Sequence, residues 1–201
     1  MSRKPRIAII IGSTRPTRFA DKPAAWLLDK AGTRDWDVEL VDLRDYDLPF
    51  FDEMASNLWM PSKNPKAVNW QEKIAEFDGY IFIVAEYNRS ITGALKNALD
   101  QAYKEWNHKP MAALGYGGTG AARAVEHLRS IAIELQMVPT RSAIHILGAD
   151  LQKVHPMTGG TAEMSEIEDH LMPSVNATFD DLEFWLRATM AARQEDMEVA
   201  A

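Results

Sequence analysis

The sequence predicts an open, doubly wound α/β architecture on a parallel sheet, and three observations carry that prediction. Short apolar runs with few or no polar breaks recur at Ile7–Ile11, Tyr80–Ala85 and Pro110–Gly115. Strands buried on both faces read this way. Between them lie stretches with apolar residues at helical spacing, so strand and helix patterns alternate. Three of the runs end in unusual loops, Gly12–Arg18, Glu86–Gly93 and Gly115–Gly120. In open α/β sheets ligands bind at the carboxyl ends of strands, where these loops lie.

The elements follow in order. After the first strand a helix carries Trp26, Leu27 and Leu28, and Asp37–Leu43 alternates as an edge strand does, with Val38, Leu40 and Leu43 inward. Tyr46–Lys63 is irregular yet apolar, with Phe50, Phe51, Met54, Leu58, Trp59 and Met60. Such a loop is a binding or contact surface, or else folds back over the core. Asn64-Pro65 is a helix start, Asn as cap and Pro at the first position. That helix places Val68, Gln71, Ile74 and Phe77 on one face, and Asp78-Gly79 closes it. Thr92–Trp106 reads as a helix with Leu95, Ala98, Leu99 and Ala102 inward, and Ala121–Met137 as another. Pro139–Leu147 is expected as the fifth strand, and Gly148–Met164 as a polar loop. Glu163–Met172 suits a short helix, Pro173 the start of a terminal one, and the tail from Gln194 is expected to fray. The whole reads as one domain over residues 1–201, a five-stranded parallel sheet with the flavodoxin-like order 2-1-3-4-5.

Composition removes several function classes. The net charge of −7 disfavours nucleic acid and anionic membranes as partners. The chain has no cysteine, which excludes disulfides, thiolate nucleophiles and iron–sulfur ligation. Any redox chemistry needs a bound cofactor. No stretch approaches a membrane span, and the first apolar run is too short for a signal peptide, so a cytoplasmic protein is expected. The five histidines show no ligand spacing, and no metal is expected.

The three loops suggest one ligand. Gly12–Arg18 offers Ser13, Thr14 and Thr17 hydroxyls and the Arg15 and Arg18 guanidiniums beside a helix start, which makes it an anion site. It lacks the later glycines of a dinucleotide fingerprint and the Gly-Lys-Ser/Thr end of a P-loop. One terminal phosphate monoester is the better match. The third-strand loop, Ala85–Gly93, combines an aromatic ring, an amide and backbone groups, and Gly115–Gly120 has four glycines in six residues. Glycines let backbone N–H groups approach a planar ring. FMN, rather than FAD, joins a carbonyl-bearing ring to one phosphate.

Gly12-Ser13-Thr14-Arg15, the run Glu86–Ser90 with Gly93–Asp100, and Gly115-Tyr116-Gly117-Gly118 resemble the NADPH-dependent FMN reductase family. Its flavin, quinone, chromate and azo-dye reductases have a flavodoxin-like fold. The resemblance spans Ile7 to about Ile146. It implies that Ser13, Arg15 and Arg18 hold the FMN phosphate. Glu86, Tyr87, Asn88 and Ser90 would line the ring, and Gly117, Gly118 and Thr119 would turn N–H groups toward its pyrimidine end. NADPH or NADH would be the co-substrate and a quinone, flavin or azo compound the acceptor. It implies no catalytic side chain, because the cofactor supplies the reactive atoms. A homodimer or homotetramer is expected. The rival is a flavodoxin-type carrier, which binds FMN without oxidising pyridine nucleotide. Glu86 is read more readily as a backbone contact or helix cap than as a base, Lys96 and Asp100 as a surface pair, and Trp70 and Trp106 as packing residues.

Overall fold

A computed structural model describes residues 3–161 and 163–199, the side chains of 197–199 excepted. Strands β1 (Arg6–Ile11), β2 (Asp37–Asp42), β3 (Gly79–Ala85) and β4 (Pro110–Tyr116) alternate with helices α1 (Asp21–Ala31), α2 (Pro65–Ala75) and α3 (Gly93–Asp100). Helix α4 (Ala122–Glu134) leads to two short strands, β5 (Val138–Pro139) and β6 (Ile144–Ile146), then α5 (Gly148–Val154) and α6 (Glu168–Val199). All pairings are parallel, in the order β2-β1-β3-β4-β5. β1 lies inside the sheet, with Ile9 opposite Leu40 on one side and Ile81 on the other.

Alternation along β1 builds two cores. Ile7, Ile9 and Ile11 face α1 and α6, packing with Leu27, Phe179 and Leu182. Ala8 and Ile10 face the other layer with Trp70, Leu95, Trp106 and Leu128. Asn64 caps α2 as expected, its Oδ1 accepting from Lys66 N at 3.0 Å. The buried face of α2 is Ala67, Trp70 and Ile74, while Val68 and Gln71 are half-buried. The indole N–H groups of Trp70 and Trp106 donate to the Ala98 and Leu99 carbonyls, and both rings are fully buried.

Four boundaries differ from the sequence reading. The fifth strand is two pieces on one edge of β4: β5 pairs Pro110 and Met111, and β6 pairs Leu114–Tyr116. Val138 N and Thr140 N donate to Lys109 O and Met111 O at 3.0 and 2.9 Å, so Pro139 sits where no donor is needed, and pairing resumes only at Ile144. Helix α3 ends at Asp100, because the chain must turn to bring Trp106 beneath the sheet. Gly148–Met164 opens with α5 and a 3-10 turn at Pro156–Thr158 rather than a loop; Ala162 lies outside the described residues. Finally, α6 begins at Glu168 and passes through Pro173. One backbone hydrogen bond is lost there, but Val175, Phe179, Leu182 and Leu186 bury the face that follows. The helix continues past Gln194 to Val199, anchored by Arg193, whose guanidinium donates to His108 O at 2.6 Å and to Asp78 at 3.0 Å. Ala200 and Ala201 lie outside the described residues.

Candidate functional site

The first loop leaves β1 through a close approach. A Cβ on Gly12 would sit 2.9 Å from Ile83 O and 3.0 Å from a Leu95 methyl, so the position requires glycine. Gly12 N–H donates to Ile83 O at 3.1 Å. The Thr92 hydroxyl donates to Gly12 O and caps α3 by accepting from Leu95 N at 3.1 Å. This fastens the β1 loop to the start of α3. Ser13 is buried and shares a side-chain hydrogen bond with Tyr116, whose phenol burial pushes up to about 12. Residues 14–17 are exposed. The Thr14 and Thr17 hydroxyls and the Arg15 guanidinium have no partner among the described residues.

Arg18 has a different place from the expected one. Its Nη1 donates to Ser13 O and to Asp42 Oδ1, both at 2.7 Å. Its Nε donates to Asp21 at 2.9 Å, and Nη2 is shared between Asp42, at 2.5 Å, and Asp21. A guanidinium has five N–H donors, and these five bonds use them all. Burial works against charge on Asp42, but hydrogen bonds from Arg18 and Arg44 outweigh it and hold the carboxyl well below its usual range. The same balance holds Arg18 charged. Arg18 therefore clamps the loop to the end of β2 and has no donor left for an anion.

The β3 loop reverses tightly. Tyr87 and Ser90 exchange backbone hydrogen bonds at 2.8 and 3.0 Å, with Asn88 and Arg89 between them at φ of 51° and 71°. Two successive positive φ values are what a type I′ turn requires. Tyr87 and Asn88 are exposed, and the Ser90 hydroxyl lies 2.7 Å from His127 Nδ1. Glu86 points away from this turn. Its carboxylate accepts from Ala124 N at 3.4 Å and pairs with Arg123, so it caps α4 from outside. Ala121, the residue before α4, is left-handed with φ 56° and has no capping side chain of its own. Burial opposes charge on Glu86, yet the Arg123 and backbone donors lower its pKa.

The glycine loop follows β4. A Cβ on Gly115 would fall 2.4 Å from Gly120 O. Gly117, at φ 149°, donates its N–H to Ile146 O at 3.2 Å, so this donor is already used. Gly118 faces open space, and the N–H groups of Gly118 and Thr119 make no hydrogen bond among the described residues. Thr119 Oγ1 accepts weakly from Arg123 at 3.4 Å.

The first and third loops meet at a cavity of about 60 Å³ lined by Ser13, Arg15, Thr17, Tyr87, Tyr116, His155 and Met157 among others. Three of these escaped sequence reasoning. Tyr116 stood within the glycine loop and could have been found there. His155 and Met157 gave no signal, because nothing in the sequence folds the stretch after β6 back over the first loop. A larger cavity, about 890 Å³, lies at the opposite end of the sheet between Pro5, Trp36, Asp78 and the α6 residues Leu186–Gln194. It faces the amino ends of the strands, away from the three loops, and its acids and bases are largely paired with each other.

Residues 5–152 match the profile of the NADPH-dependent FMN reductase family. The chain belongs to that family. It is 30% identical to an NAD(P)H-dependent FMN reductase of a Nectria species, with 83% of each chain covered. A 2-hydroxy-1,4-benzoquinone reductase from a Burkholderia species is 33% identical over 66% of this chain and 73% of that one. Among solved structures, the flavoenzyme NAD(P)H:(acceptor) oxidoreductase FerB from Paracoccus denitrificans superposes with a TM-score of 0.65 at 26% identity, covering 89% of this chain and 97% of that one. This FMN reductase is thus an NAD(P)H-dependent oxidoreductase rather than a flavodoxin-type carrier, and FMN is its cofactor.

The residues present fit that cofactor. The unpartnered donors of Thr14, Arg15 and Thr17 suit a single phosphate, and the open side of Gly118 admits a flat ring without a Cβ in the way. No helix among the described residues is long and apolar enough to cross a membrane. No three potential metal-ligating side chains cluster among them either.

Proposed function

We propose that the three carboxyl-end loops hold FMN, with Arg15, Thr14, Thr17 and the buried Ser13 at its phosphate. Tyr87, Asn88 and Ser90 lie beside the ring, and Gly118 and Thr119 present N–H groups to its pyrimidine end. Arg18 positions the loop through Ser13 O, Gly117 is held by Ile146, and Glu86 acts through α4. The observation that carries this reading is the donor set left without partners at the end of β1 in a chain where Arg18 is fully engaged. FMN, when bound, supplies hydride chemistry between NAD(P)H and an acceptor. The protein positions it, and fixed N–H donors at Gly118 and Thr119 stabilise negative charge developing there without reorganising. Quinones are the acceptor class best supported, with free flavins and azo compounds as further candidates.

We also infer that the FMN reductase works as a homo-oligomer in the cytoplasm. The cavity at the phosphate end, about 60 Å³, is well below the roughly 300 Å³ of an ordinary ligand pocket, so the ring would lie on an open surface of one chain. Phe50, Met54 and Trp59 are 85%, 88% and 81% exposed on the loop after β2, on the same side of the sheet. A second copy seated on that loop would wall the ring and cover the apolar side chains.

Anaerobic mixing with NADPH or NADH tests the first proposal: the flavin absorbance bleaches without acceptor and returns when a quinone is added. Bleaching by neither nucleotide overturns it. Light scattering tests the second, since a mass near one 22.6 kDa chain with flavin bound and activity intact rejects an oligomer. Trp59→Asp is expected to dissociate the assembly and lower turnover together.

A further inference from the structure

We propose that His155, from the segment after α5, is a ligand of the FMN phosphate, completing from the C-terminal side a site that otherwise belongs to the loop after β1. This inference rests on the FMN reading above.

The ring of His155 is tied to that loop by packing. It stacks on Phe19, centroids 4.9 Å apart at 29°, and Phe19 meets Tyr116 edge-on at 5.4 Å. Tyr116 in turn shares a hydrogen bond with Ser13. Phe19 is buried, so His155 is held against a fixed surface. The backbone behind it is fixed as well. His155 N donates to Leu151 O at 2.8 Å, His155 O accepts from Gly160 N at 3.1 Å, and Thr161 N donates to Lys153 O at 2.9 Å. A Cβ on Gly160 would stand 2.5 Å from Lys153 O, so the turn closes only around a glycine.

The ring's chemistry follows from one contact. His155 Nδ1 accepts the Met157 N–H at 3.2 Å. Nδ1 therefore carries no proton, and the neutral imidazole must carry it on Nε2 as a donor. That nitrogen has no acceptor among the described residues. Burial and the charge of Arg15 both lower the pKa of His155, and no carboxylate offsets them. Two donors, the cationic Arg15 guanidinium and the neutral His155 Nε2–H, thus border a cavity that holds no acidic side chain of its own. A phosphate dianion is the ligand chemistry that relieves both.

The test compares FMN with riboflavin, which has the ring but no phosphate. Dissociation constants are measured by flavin fluorescence quenching for the unaltered protein, His155→Ala, His155→Gln and Arg15→Ala. His155→Ala is expected to weaken FMN about tenfold, the scale of one partly exposed charge-assisted hydrogen bond, and to leave riboflavin within about twofold. His155→Gln keeps a donor at similar reach and should recover part of the loss. Unchanged FMN affinity in His155→Ala, while Arg15→Ala still weakens FMN, overturns this inference and leaves the FMN site standing. Equal weakening of FMN and riboflavin overturns it too, because the ring would then act only by packing on Phe19. If the unaltered protein binds neither flavin, or Arg15→Ala changes nothing, the phosphate site fails and this inference fails with it.

Discussion

The two ends of the sheet are built on opposite terms. At the amino end, polar groups are turned on one another. Asp78 is buried and accepts from Arg3 at 2.5 and 2.8 Å, from Arg6 N at 2.9 Å and from Arg193 at 3.0 Å. That one carboxylate ties the chain entering β1, the start of β3 and the last turns of α6. At the carboxyl end the Thr14, Arg15 and Thr17 side chains and the Gly118 amide are unpartnered. The chain also takes positive φ at Asn88, Arg89, Gly117, Gly120 and Ala121. Positive φ also occurs at the amino end, at His108 and Gln136, so the unspent donors rather than the backbone set the carboxyl end apart. The larger cavity is at the amino end all the same. Size alone would therefore point to the amino end, whereas the proposed site rests on the state of the polar groups.

The largest expected effect tests the amino end. Asp78→Ala removes the acceptor of two guanidiniums and a backbone N–H. Breaking a buried pair costs about 3–5 kcal/mol, and the lower end applies because the Arg3 side chain is 62% exposed. For a chain of this size that lowers the melting temperature by roughly 6–12 °C. The FMN dissociation constant of the folded protein should not change. A large fall in FMN affinity would break the division between the two ends. The pH dependence has a definite sign. Burial opposes the Asp78 charge, but Arg3, Arg6 N and Arg193 lower its pKa. The folded chain then gives up this proton more readily than the unfolded one, so the contribution is full above the unfolded carboxylate pKa and fades as pH falls below it.

The second effect separates two arginines three residues apart. Arg15→Ala should weaken FMN by about 1.5–3 kcal/mol and leave the melting temperature of the flavin-free protein unchanged, since Arg15 holds nothing together within the chain. Arg18→Met should do the reverse. It strands the half-buried Asp42 with Arg44 alone and lowers the flavin-free melting temperature, with a smaller effect on FMN through the loosened Ser13. Thermal melts with and without FMN read both outcomes. If the two variants behave alike, the loop is one unit and the assignment of separate roles is wrong.

This pair also marks the limit of what the sequence disclosed. The strands at Ile7–Ile11 and Tyr80–Ala85 were legible because burial on both faces leaves an unbroken apolar run. The Asn64-Pro65 cap and the Lys96–Asp100 pair, at 2.7 Å, were legible because both are local. The three loops were legible for the same reason. The fate of Arg18 was not, since its partner Asp42 is 24 residues away at the end of another strand. Nothing local distinguishes an arginine that will meet two carboxylates from one that will meet none. Glu86 finds its role 38 residues on, at Ala124. His155 comes from a stretch whose own pattern is that of a polar loop. Partners set by topology are invisible until the chain is folded.

The smallest effect probes an exception to the contrast. Lys109 is buried at the amino end with no carboxylate in contact, its Nζ 3.1 Å from the Tyr80 hydroxyl, 3.2 Å from Ala75 O and 3.4 Å from Ile74 O. Desolvation lowers its pKa to about 8, and the nearby Arg193 adds to the shift. The folded chain therefore releases this proton near pH 8, while the unfolded chain keeps it to about 10.4. Between those values the unfolded state binds more protons, so stability rises with pH. Tyrosines act against it higher up: burial raises Tyr80 well above 10, and the folded state then holds the extra proton. The expected curve climbs by about 2 kcal/mol from pH 8 to 10 and turns over beyond. Urea melts across that range measure it. Lys109→Met should flatten the climb, keeping the aliphatic stem but removing the titrating group. A climb that survives the substitution assigns it elsewhere; its loss shows that even the stabilising end of the sheet carries a buried charge at a cost.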